Sequence, residues 1–139
     1  MSKLVAIDPG RKKCGLILTD TEQQVVIDGK VVEADSVIEL LLDWQNSQAL
    51  EGILLGNGTS SDFWYKYLVE IAPVHLVEER GTTLRARNRY WEIWPPKNLY
   101  KLLPRGLIVP PGDLDAVAAL VLLEDYLQKQ FRWPGPPSF

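Results

Sequence analysis

Leu4-Val5-Ala6-Ile7-Asp8-Pro9-Gly10-Arg11-Lys12-Lys13-Cys14-Gly15-Leu16-Ile17-Leu18-Thr19 holds two apolar runs separated by a Pro-Gly turn. A short apolar run closed by turn residues predicts a buried strand, here Leu4 to Ile7. Cys14 to Thr19 predicts a second strand. Gln24 to Val32 predicts a third, with Asp28-Gly29 as a turn or bulge, so the first third of the chain reads as an antiparallel meander.

Downstream the period changes. Ser36-Val37-Ile38-Glu39 has the capping-box form, and Val37, Leu40, Leu41 and Trp44 then recur at helical spacing, predicting a helix to about Gln48. Gly52 to Gly56 predicts a strand. Thr59-Ser60-Ser61-Asp62 opens a second helix, with Phe63, Tyr67, Leu68 and Ile71 as its apolar side and Pro73 as its stop. Val74 to Val77 is a strand ending at Glu78-Glu79, and Thr82 to Trp94 is a polar, basic helix. Pro104 to Gly112 is a loop, after which Asp113 caps an apolar helix reaching about Gln128. The order predicts an α/β fold with a mixed five-stranded sheet flanked by helices. Residues 1–130 form one domain. A Pro-rich C-terminal tail covers residues 131–139, and its Pro134-Gly135-Pro136-Pro137 cannot continue a helix and is expected to fray.

Composition excludes several classes. The 139 residues include one Cys, Cys14, and one His, His75. An intrachain disulfide is therefore impossible, and Cys- or His-rich metal sites are ruled out. No apolar run approaches the ~18 residues that span a bilayer. Asp8 falls where a signal peptide would need apolar residues, so a cytoplasmic protein with no membrane partner is expected. Net charge is −3, yet the stretch from Arg80 to Arg105 carries seven basic residues against Glu92 alone. Arg11, Lys12 and Lys13 form a second cluster. Arg80, Arg85, Arg87, Arg89, Lys97 and Lys101, with that cluster, are the candidate nucleic-acid contacts, since such a field attracts a polyanion locally.

Three acids sit where buried elements end: Asp8 after the first strand, Glu79 after the fifth, and Asp115 in the first turn of the last helix. Hard divalent cations bind carboxylates, and a pair of them can hold both the attacking and the leaving oxygen of a phosphodiester. Asp113 and Glu78 flank this set.

Four segments together resemble the YqgF family, small RuvC-like proteins of the ribonuclease H fold. They are Asp8-Pro9-Gly10 through Asp20, Val74-His75-Leu76-Val77-Glu78-Glu79-Arg80-Gly81-Thr82-Thr83, and Leu114-Asp115-Ala116-Val117-Ala118-Ala119 through Leu127. The fourth, Gly56-Asn57-Gly58-Thr59, is closer to the related domain of Tex proteins. The resemblance spans Leu4 to Leu127. It implies a ribonuclease H-like domain, metal-dependent nuclease chemistry with two Mg²⁺ or Mn²⁺ ions, and Asp8, Glu79 and Asp115 as the catalytic, metal-binding acids. It implies branched DNA or precursor ribosomal RNA as substrate. Resolving a four-way junction needs two active sites, which a homodimer would supply, and the sequence leaves oligomeric state open. Trp91 to Lys101 interleaves aromatics with cations, a pattern that stacks on unpaired bases or packs as a lid or interface. Two other readings stand beside the nuclease: a non-catalytic binding module, as in Tex-like proteins, and nucleotide-phosphate binding by the first hairpin.

Overall fold

A computed structural model describes residues 2–58, 60–79, 81–96, 102, 110 and 113–137. Five strands form one sheet: β1 (Lys3–Asp8), β2 (Lys13–Asp20), β3 (Val25–Glu33), β4 (Gly52–Gly56) and β5 (Val74–Val77), in the order β3-β2-β1-β4-β5. β1 runs antiparallel to β2, and β2 to β3. β4 and β5 continue parallel to β1. The fold is ribonuclease H-like. The β2–β3 reversal is made by the turn at residues 21–24, and β3 runs on through Asp28-Gly29 with a bulge just before it. Leu18 faces Asp28 while Thr19 faces Val26, which leaves Ile27 as the extra residue.

Alternation along the central strand divides the core. Val5 and Ile7 pack with Leu16, Ile53 and Leu55 against α1 (Val37–Ser47) and α2 (Ser61–Leu68). Ala6, Ile17, Leu54 and Val77 face α4 (Asp115–Leu127), whose Ala116, Ala119 and Leu120 are buried against them. A central strand buried on both faces reads as a continuous apolar run, as β1 does. The alanines let α4 lie close to the sheet. α3 (Thr82–Ile93) packs on the outer side of α4 through Ala86, Tyr90 and Trp91.

Four expectations need correction. Ser36 precedes α1, but its side chain makes no capping hydrogen bond; a 3-10 turn over Ala34–Ser36 leads into the helix instead. In α2 the buried face is Ser61, Trp64 and Leu68, not the stripe through Phe63 and Tyr67, which are 54% and 46% exposed. The stretch expected to fray is anchored at Gly135, and the residues before it dock. Phe131 is buried beside Val26 and α4, Arg132 bridges to Val25, and the Trp94 indole donates to the Gly135 carbonyl at 2.8 Å. Finally, Trp91 is core, and half-buried Trp94 packs on Tyr90 and Trp133 at centroid distances of 5.0 and 5.1 Å, so both are tied into aromatic packing. Residues 97–101 and most of the Pro104 to Gly112 loop lie outside the described residues.

Candidate active site

Strand parity decides which acids can meet. Side chains two apart share a face, so Asp8 lies on the side of Ala6, and Glu79 falls on the side of Val77. Both Ala6 and Val77 face α4. Asp115 stands in the first turn of that helix, where the macrodipole favours negative charge. Glu78 has the opposite parity and is exposed.

Two glycines permit the approach. Gly15 pairs with Asp8 across the β1–β2 hairpin, and a methyl group on it would collide with the backbone carbonyl of Asp115. Only hydrogen fits between that hairpin and the start of α4. Gly56, at the end of β4, plays the same part for Glu79: a Cβ there would sit 2.5 Å from the Glu79 Oε1 and 3.2 Å from Pro9. β4–β5 pairing extends to this end through the Asn57 N–H, which donates to the Val77 carbonyl at 2.7 Å.

The electrostatics are those of crowded like charges. Burial pushes the Asp8 carboxyl up to about 8. A hydrogen bond shared with Glu79 and the charges of Glu79 and Asp115 add to the rise. Asp115 is raised by burial first, then by the charge and hydrogen bond of Asp113, with Lys13 partly offsetting. For Asp113, burial acts upward, but the Lys13 ammonium and hydrogen bonds to Asp115 outweigh it and hold the carboxyl low. Lys13 Nζ donates to Asp113 Oδ2 at 2.5 Å, tying the start of β2 to the residue before α4. Cys14 is buried, its thiol engaged with the Gly10 backbone at 3.4 and 3.6 Å.

The acids form two subgroups, Asp8 with Glu79 and Asp115 with Asp113, joined by the Asp8–Asp115 repulsion. Among the described residues no three such side chains already enclose a space for an ion. The donor chemistry nevertheless fits a hard divalent cation: oxygen ligands only, partly desolvated, with Asp8 crowded by the charges of Glu79 and Asp115, a repulsion that a cation would relieve.

The basic residues are placed differently. Arg85 forms an ion pair with Asp125 at 2.6 Å, and Arg89 with Glu124 at 2.8–2.9 Å and the Phe131 carbonyl at 2.9 Å. Both clamp α3 to α4. Arg87 is half-buried. Arg11, Lys12 and Lys13 are exposed around the turn that follows Asp8. Arg80, Lys97 and Lys101 lie outside the described residues. Among the described residues no helix is long and apolar enough to cross a membrane.

A mixed sheet of this order, with acids gathered at the end of its central strand, defines the class of ribonuclease H-like domains. The chain superposes on Thermus thermophilus RuvC, solved in complex with a Holliday junction substrate, with a TM-score of 0.54 at 15% identity, over 92% of this chain and 96% of that one. It is 31% identical over 137 residues to a Thermus thermophilus protein named "Putative pre-16S rRNA nuclease", covering 89% of this chain and 96% of the relative. A Parabacteroides distasonis protein of the same name is 25% identical over 144 residues, covering 94% and 97%. No family model matches the chain. The chain belongs to the YqgF family of pre-16S rRNA nuclease relatives.

Proposed function

We propose that the protein is a divalent-metal-dependent endonuclease that hydrolyses phosphodiester bonds in structured nucleic acid, either branched DNA or precursor ribosomal RNA. The observation that carries this reading is Asp8, whose carboxyl is raised by burial, by a hydrogen bond and the charge of Glu79 and by the charge of Asp115, with Asp115 itself raised by burial and by Asp113. Clusters of this kind cost stability and are kept where chemistry uses them. The names of the relatives and the RuvC-like fold point the same way.

Asp8, Glu79 and Asp115 would hold the cations. Bound there, Mg²⁺ or Mn²⁺ supplies Lewis acidity and charge neutralisation for in-line displacement at phosphorus. Asp8 is the acid common to both neighbours and would serve as the shared ligand. Arg11, Lys12 and Lys13, on the turn that begins two residues after Asp8, would draw the phosphate backbone toward the acids without reading sequence. Arg85 and Arg89 are engaged with Asp125 and Glu124 at the far end of α4, where they hold α3 against it. On a four-way junction, two copies would be needed to cut both strands.

The test is cleavage of a four-way DNA junction and of a precursor 16S rRNA fragment in Mn²⁺. Asp8→Asn and Asp115→Asn should each lower the rate by more than roughly 100-fold, beyond the loss typical of a ligand's supporting residue, with an unchanged or higher Tm. Undiminished cleavage by both variants would remove the mechanism. A wild type that binds both substrates, cuts neither and ignores Mn²⁺ would leave a binding module.

A further inference from the structure

Phe63 and Tyr67 belong to a helix whose other face is core, yet both rings stand in solvent. They border a groove of about 550 Å³ that runs from Gly10 and Arg11 on the β1–β2 turn to α2. This volume lies within the range of small-ligand sites. The near wall is two residues from Asp8, so its Cα lies at most about 7.6 Å from that of the acid. Large exposed aromatics bordering a concavity mark a contact surface more often than chance.

Three features indicate what it would hold. The Phe63 and Tyr67 rings lie 5.4 Å apart at 61°, offering apolar faces, and Lys66 Nζ hovers 5.9 and 5.3 Å from their centroids. Trp64, only 4% exposed, closes the floor of the groove. Arg11 at one end provides a cation for phosphate, and Asp35 an acceptor for base N–H groups. Stacking surface, cation and acceptor together suit a nucleotide. A base held in a duplex cannot present its faces, so the nucleotide must be unpaired.

We propose that this groove is a subsite for one unpaired nucleotide of the strand that crosses the acids, with its base on Phe63 and Tyr67 and its phosphate toward Arg11. The proposal rests on the nuclease reading for its substrate, but binding can be measured without cleavage. Anisotropy of fluorescein-labelled oligouridylate and of a blunt hairpin duplex, in Ca²⁺ buffer, separates the two.

Phe63→Ala and Tyr67→Ala should each weaken single-strand binding roughly tenfold, the size of one base stack. Duplex affinity should change less than about twofold, and Phe63→Trp should bind as wild type. Both residues are solvent-facing, so the variants should fold, and their Tm should confirm it. Single-strand affinity equal to wild type in both alanine variants would overturn the subsite. So would failure of the wild type to bind oligouridylate. A wild type that self-associates by light scattering and becomes monomeric as Phe63→Ala, with oligonucleotide affinity unmoved, would assign the groove to a second copy and likewise overturn it. Cleavage that survives Asp8→Asn while single-strand binding still depends on Phe63 would sink the nuclease reading and spare the subsite.

Discussion

The two ends of α4 carry acids under opposite conditions. At the C-terminal end, Glu124 and Asp125 face a dipole that disfavours negative charge, and each is met by a guanidinium from α3. At the N-terminal end the dipole favours Asp115, yet its neighbours include Asp113 and, across the hairpin, Asp8, with Lys13 partly offsetting them. One end has its charge balanced for stability. The other accumulates charge of one sign, which is the arrangement that a cation would complete.

The contrast can be broken first at the paired end. Arg89 is mostly buried and serves Glu124 and the Phe131 carbonyl together. Arg89→Ala should lower stability by about 3 kcal/mol in urea unfolding, because it strands a buried carboxylate, while Mn²⁺ affinity by calorimetry should stay near wild type. A loss of affinity as large as the loss of stability would show the two ends are not independent.

The acid end should respond to pH in the unusual direction. The Asp8 carboxyl is raised from 3.8 to about 8, so between those values the folded state holds a proton that the unfolded chain has released. Metal-free stability should therefore fall as pH rises from 5 to 8.5, by roughly 2 kcal/mol after allowance for partial exposure. Asp8→Asn should flatten that slope, and saturating Mn²⁺ should cancel it. A metal-free Tm that climbs over this window would show that the carboxylates are not in conflict. The smallest effect belongs to Arg85, whose pair with Asp125 is well exposed on both sides. Arg85→Ala should cost less than about 1 kcal/mol, and a larger loss would mean the exposed pair, not the Arg89 clamp, seats α4.

Much of this was legible in the sequence. Strands announce themselves as apolar runs closed by Gly, Pro or acids, and all five lie where Leu4, Cys14, Gln24, Gly52 and Val74 open such runs. The acids were legible because each ends an element. Strand parity places Asp8 and Glu79 on one face. The rotation of α2 was not: Phe63-Trp64-Tyr65-Lys66-Tyr67-Leu68-Val69 is apolar almost all round, so periodicity could not say that Trp64 turns in and Phe63 out. Nor could local pattern pair Arg85 with Asp125, 40 residues away, or Arg89 with Glu124, 35 away. The tail misled because prolines forbid regular structure, but a segment can dock through Phe131 and Trp133 without any.

Gly15 has a consequence for how the protein tolerates change. The gap between the hairpin and the head of α4 is set by main chain against main chain, not by rotamers that drift when a neighbour mutates. Spacing at the reactive end is thus insulated from turnover in the oily layers beneath it. Sequences can diverge across the interior while the same gauge, one hydrogen thick, keeps the carboxylates in step.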